Sequence, residues 1–151
     1  MWRVALVALA VTAAACASES PIPKDPATGL PIVDQLPAFP GTVAALEWRE
    51  TSEPADGFGA GDTTHATIGD LVAAMREVAA EEDAELTVGF LGPPTAEEAT
   101  LVVHSSSRDQ AFAGDEIVAQ LRRNERGWYV DLIRFRHHCR REVDADGQEC
   151  V

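Results

Sequence analysis

Six of the nine prolines, Pro21, Pro23, Pro26, Pro31, Pro37 and Pro40, fall within twenty residues of one another. Proline has no amide N–H and a fixed φ, so neither a helix nor a central strand is expected there. The stretch reads as an extended, disordered tether over residues 16–41, which confines regular structure to residues 42–151. A segment of that length supports one modest core and is too short for two, so a single domain is expected.

The chain begins with Arg3, an apolar run from Val4 to Val11 and then small residues. This is the layout of an export signal, and the run is shorter than the roughly 20 apolar residues a membrane span needs. Ala13-Ala14-Ala15-Cys16 resembles the lipobox of bacterial lipoproteins, with alanine at position 13 where leucine is commonest. The resemblance implies that residues 1–15 are a signal peptide, that cleavage precedes Cys16, and that the Cys16 thiol carries a diacylglyceryl anchor. The expected location is the extracytoplasmic face of the cell membrane, with the membrane as partner through lipid on Cys16.

Charge narrows the partners further. Without residues 1–15 the chain keeps 25 acids and 11 bases, a formal net charge of -14. Nucleic acid is excluded as a partner, because phosphate binding needs clustered Lys and Arg. A polybasic grip on anionic lipid is excluded for the same reason, so membrane attachment falls to acyl chains, two of which anchor stably where one is marginal. With Cys16 committed to lipid, Cys139 and Cys150 remain, and in an oxidising compartment they are expected to form a disulfide. Closing so short a loop contributes about 3 kcal/mol in the chain-entropy treatment and pins the C-terminus.

Within residues 42–151 the period of the apolar residues alternates at 42–50, becomes helical near 67, and alternates again from 86. Ala44, Leu46 and Trp48 suit a half-buried strand. Thr67 and Asp70 fit a capping box, and Ile68, Leu71, Val72, Met75, Val78 and Ala79 form one apolar stripe, so a helix is expected from about 68 to 82. Strands follow at 86–90, 101–106, 117–121 and 128–135. In the last of these Trp128, Val130 and Leu132 alternate on one face, and Ile133, Phe135 and His137 on the other, which a bulge near Leu132 reconciles. The expected fold is α+β: one helix packed on a curved antiparallel sheet of four to five strands, in the order β-α-β-β-β-β.

That order, with a closing hairpin ending in Gly127-Trp128-Tyr129-Val130, resembles the cystatin-like and nuclear-transport-factor-2-like architectures. Residues 86–151 also resemble small exported lipoproteins of high-GC bacteria, in which a run like Ser107-Arg108-Asp109 to Gly114-Asp115-Glu116 precedes Leu121-Arg122-Arg123 and a final strand leads into two cysteines. The resemblance implies family and fold but no activity. An alternative that follows from the second architecture is a ligand-binding or enzymatic pocket between helix and sheet, lined by Met75, Phe90 and Trp128.

Candidate chemistry is sparse. Gly57-Phe58-Gly59-Ala60-Gly61 lacks the Lys-Ser/Thr of a phosphate cradle and sits among acids. His137 and His138, neighbours on a strand, point to opposite faces and do not share a metal ion. Glu142-x-Asp144-x-Asp146-Gly147 follows half a calcium loop, but the chain stops before the bidentate acid such a loop needs, and a turn within the disulfide loop fits better. His104, Ser105 to Ser107 and Asp109 have the residue types of a nucleophilic triad without its elbow motif. Gln110-Ala111-Phe112-Ala113-Gly114 is similar to the inhibitory loop of cystatins, with Phe112 in place of valine. Residues 122–141 carry seven bases and two acids, so Arg122, Arg123, Arg134 and Arg136 are a candidate surface for an anion or a protein partner in the cell envelope, against the simpler reading of a wet strand face. No catalytic set, metal or cofactor is implied, and the expected function is a non-enzymatic binding or accessory domain. If the cysteines pair as expected, reduction raises the intact mass of the exported chain by two hydrogens; an unchanged mass contradicts the pairing.

Overall fold

A computed structural model describes residues 21–51 and 63–151. Seven strand segments and one helix follow one another as β1 (Ile32–Val33), β2 (Ala44–Ala45), β3 (Arg49–Thr51), α1 (Ile68–Glu81), β4 (Glu85–Leu91), β5 (Glu98–Ser106), β6 (Phe112–Asn124) and β7 (Gly127–Cys139). They form one curved sheet in the order β1-β4-β5-β6-β7-β2, with β3 also paired to β7. The expected α+β class holds, with one helix on a curved sheet. The strand count and order do not: the sheet has seven segments, and it is mixed because β1 runs parallel to β4. The single strand expected at 42–50 is broken into β2 and β3, both antiparallel to β7.

The helix forms where its caps allow. Thr67 Oγ1 accepts from the Asp70 amide at 3.1 Å, and the Asp70 carboxylate accepts from the Thr67 amide at 3.0 Å, completing the capping box. At the other end Asp83 takes a left-handed φ of 56°, with Ala84 N–H donating to Ala79 O and Asp83 N–H to Ala80 O. That closes a Schellman turn without glycine. Among the described residues no helix is long and apolar enough to cross a membrane.

The core lies between α1 and one face of the sheet. Leu71, Val72 and Met75 meet Val88, Phe90, Leu101, Val103, Ala119, Leu121 and Ile133. The apparent slip in β7 resolves as a bulge: Gln120 pairs with Leu132 but Leu121 with Val130, leaving Asp131 as the extra residue. One inserted residue turns Trp128, Val130, Ile133 and Phe135 onto the same core face. A second shift at the start of β6, between Phe112 and Gly114, adds twist beside the β5–β6 loop.

The largest departure from expectation is in the proline-rich segment. Over residues 21–41 it is not a free tether but a strap along the β4 edge of the sheet: Leu30 and Ile32 join the core on the helix-bearing side, and Phe39 covers the opposite face. Leu30 and Phe39 are 6% and 7% exposed. Prolines do not prevent this, because an edge strand can offer carbonyls alone: Pro31 O accepts from Phe90 N–H and Val33 O from Gly92 N–H, both at 2.8 Å. Gly89 leaves room for the strap, since a β-carbon there would lie 3.1 Å from Pro31 O. Gly114 is under a sharper constraint, with φ of 144° and a hypothetical β-carbon only 1.8 Å from Ser105 O. Gly114→Ala is therefore expected to lower stability by more than about 3 kcal/mol in urea unfolding. Gly147→Ala, at an open left-handed turn, is expected to lower it by about 1 kcal/mol.

Candidate functional site

The strand register brings ionisable side chains together twice, once on each face of the sheet. Cross-strand pairing sets His104 opposite Glu116 and Glu116 opposite Arg136; on the helix-bearing face it sets Ser105 opposite Asp115 and Asp115 opposite His137. Adjacent residues of a strand point to opposite sides. The dipeptides Asp115-Glu116 and His137-His138 thereby supply an acid and a histidine to each face.

On the strap side the acid is Glu116, 1% exposed. Its Oε2 accepts from Arg136 Nε at 2.6 Å and from His138 Nε2 at 2.9 Å, while Oε1 lies 3.3 Å from His104 Nε2. His138 Nδ1 meets Thr42 Oγ1 at 3.1 Å. Phe39 of the strap stacks on His138 with ring centroids 4.1 Å apart and leans on His104 at 4.9 Å. Trp48 lies under Arg136 and Arg134, at 4.6 and 5.4 Å from its ring centroid. Among the described residues no buried side-chain polar atom lacks a partner. Burial alone pushes the Glu116 carboxyl up, but hydrogen bonds from His138 and Arg136 and the Arg136 charge outweigh it and hold the group below the usual carboxylate range. Burial pushes the His138 pKa below the usual histidine value and prevails over the pull of Glu116. Glu116 is thus enclosed by its partners as an electrostatic joint.

On the helix-bearing face the second pair is open. His137 Nδ1 is 2.5 Å from Asp115 Oδ1, and because a carboxylate only accepts, the ring nitrogen is the donor. Its Nε2 has no hydrogen-bond partner among the described residues. Phe112 and Phe135 meet the ring edge-on at 5.3 and 5.9 Å. His137 borders a groove of about 580 Å³, with Leu46, Phe112, Ala111 and Cys150 supplying apolar wall and Ser107, Asp109 and Glu149 the polar rim. The β5–β6 loop at its edge is well braced. Asp109 Oδ1 accepts the amides of Ala111 and Phe112 at 2.8 and 3.0 Å, which hold its pKa below the usual carboxylate value. Arg140 donates to Ser107 O and Asp109 O.

The other side of the groove is the C-terminal loop. Cys139 and Cys150 are bonded, with Cα atoms 5.3 Å apart, as the cysteine count led one to expect. Inside that loop the Asp144 carboxylate accepts the amides of Gln148 and Glu149, so it builds a turn rather than half a calcium loop.

Of the four arginines chosen from sequence, Arg122, Arg134 and Arg136 lie on the sheet face opposite the helix, the last two together over Trp48. Arg122 reaches Asp131 at 3.1 Å, Arg136 is tied to Glu116, and Arg134 lies against Trp48. Arg123, at the end of β6, borders a different cleft of about 380 Å³ at the start of α1, shared with Trp128, Ile68 and Thr95. Of the residues expected to line a cone between helix and sheet, Phe90 and Trp128 border this same cleft, while Met75 is 3% exposed within the packed core. Cys16 and the Gly57–Gly61 loop lie outside the described residues. His65 bridges to Trp128 through its backbone. Among the described residues no set of three or more His, Cys, Asp or Glu is placed to hold a metal ion. Comparison with protein-family models, with curated proteins and with solved structures returns no match.

Both shifted groups of the sealed cluster destabilise the fold in acid. A histidine with depressed pKa contributes stability above its unfolded value of about 6.5, and this is lost as pH falls through the folded value. The depressed Glu116 adds a second loss below its unfolded value of about 4.3. Unfolding free energy is expected to decline from about pH 6.5 downward, and His138→Gln is expected to remove the upper part of that decline. An identical pH profile in the variant contradicts the assignment.

Proposed function

We propose that this chain is an exported lipoprotein, held through a lipid-modified Cys16 on the extracytoplasmic face of the cell membrane, and that residues 21–151 form a non-enzymatic binding or accessory domain. The observation that carries the reading is the Cys139–Cys150 pair. A disulfide suits an exported chain, and it leaves Cys16 as the one remaining thiol of three, in a lipobox-like setting. Acylation of that thiol accounts for the odd cysteine, and the acidic net charge makes a lipid anchor the available means of attachment.

On this reading the strap changes the spacing of domain and membrane. Four residues lie between Cys16 and Pro21, where the described chain begins, so five residue steps give a reach of at most about 18 Å. The domain then rests close to the headgroups rather than several tens of ångströms above them. Ile22 lies over the strap face, beside Val102 and His104, so the anchor leaves from that side. The groove with His137 lies on the helix-bearing face and is left open to a ligand or an envelope protein. Architecture of the nuclear-transport-factor-2-like kind offers a scaffold for this, with the open groove beside His137 as the binding site.

Cys16→Ser is expected to move the protein from the membrane to the soluble fraction on cell fractionation, with the Cys139–Cys150 bond intact. Unchanged membrane association in that variant contradicts the anchor.

A further inference from the structure

We propose that the groove between the β5–β6 loop and the C-terminal disulfide loop is a binding site for a small organic cation, a primary amine on a compact apolar body. The inference names the ligand class of the domain read above as a binding module, and it is independent of the anchor.

The lining decides the class. Phe112, Leu46 and the Cys150 side of the disulfide offer an apolar bed large enough for a ring or a short branched chain. The ionisable side chains bordering it are Asp109, Glu149 and His137, with no lysine or arginine among them. Arg140 bonds the carbonyls of Ser107 and Asp109 at the groove wall and keeps its charge, while Arg108 is paired with Asp83. Asp109, Glu149 and the Asp115 carboxylate behind His137 outnumber the single Arg140 charge, so the bed carries a net negative potential that favours an ammonium over a carboxylate or phosphate. Two of the groups have free acceptors. Asp109 uses Oδ1 for the loop amides and leaves Oδ2 without a partner among the described residues, and the Glu149 carboxylate has none there either.

His137 supplies direction. Its Nδ1–H is fixed on Asp115, so in the neutral ring Nε2 is a lone-pair acceptor held in one orientation, the remaining requirement for a hydrogen bond from an ammonium N–H. The Phe112 ring lies beside it, at 5.3 Å and nearly perpendicular to the imidazole, and lines the same groove. Asp115 is thus a positioning residue, and Asp109, Glu149 and His137 are the contacts. The loop geometry makes the site preformed, since Asp109, Ser107 and Arg140 brace one wall and the disulfide braces the other.

The test is an NMR titration of the oxidised Cys16→Ser chain, so that failure of the anchor leaves the result unaffected, with benzylamine as probe and benzoate and benzyl alcohol as matched controls. Benzylamine is expected to shift the His137 and Phe112 ring resonances saturably, and the controls are expected to bind at least about tenfold more weakly. Asp109→Asn keeps the oxygen that accepts the loop amides, and Glu149→Gln changes a side chain with no hydrogen-bond partner among the described residues, so both preserve the fold. Together they are expected to weaken benzylamine about tenfold, while Arg123→Gln, at the separate cleft, leaves it unchanged. Absence of a saturable shift, equal affinity for benzoate, or undiminished affinity in the double variant overturns the proposal.

Discussion

A carboxylate buried to 1% exposure is the interaction on which the rest of this fold depends. Taking Glu116 out of water is expensive unless opposite charge and hydrogen-bond donors surround it. They arrive from three strands: His104 from β5, Arg136 and His138 from β7, with Glu116 itself on β6. This works only in the observed register, because a slip of one residue would turn each of these side chains to the other face. The cluster also needs a roof. Phe39 and Thr42 provide it, which explains why a segment rich in proline is drawn down onto the sheet rather than left free.

The parts of this fold legible in the sequence were those whose signal is local. Thr67 and Asp70 mark the helix start three residues apart, and the stripe from Ile68 to Ala79 gives its buried face. The slip in β7 was visible as a change of face between Leu132 and Ile133, and the bulge sits one residue earlier, at Asp131. The disulfide followed from counting cysteines. What escaped notice depends on partners far apart in the chain. The strap's place on the edge is set by Gly89 and by the carbonyls of Pro31 and Val33, none of which shows in the spacing of prolines. The polar cluster was hidden for a similar reason: Glu116 lies 12 residues from His104 and 22 from His138, and antiparallel pairing alone brings them together. The rule that neighbours on a strand face opposite ways did separate His137 from His138. It did not reveal that each would meet its own acid.

Two adjacent dipeptides, Asp115-Glu116 and His137-His138, therefore give one sheet two different acid–histidine contacts. One is enclosed beneath the strap, where burial and complete hydrogen bonding make it a structural joint. The other faces the groove, half-exposed, with one ring nitrogen unused. The same residue types take separate roles because the environment differs: Phe39 of the strap stacks over His138, whereas His137 borders the groove. The C-terminal disulfide has the parallel role on the other side, holding the loop that walls the groove against the end of β7.

If the strap is an integral layer that seals Glu116, a chain beginning at residue 42 loses more than a linker. Comparing urea unfolding of residues 21–151 with residues 42–151 measures this directly. The truncated chain exposes the Glu116 cluster and loses the buried Leu30 and Phe39, so its unfolding free energy is expected to be lower by about 3 kcal/mol or more. Coincident unfolding curves for the two chains would contradict a structural strap and return the proline-rich segment to the role of a tether.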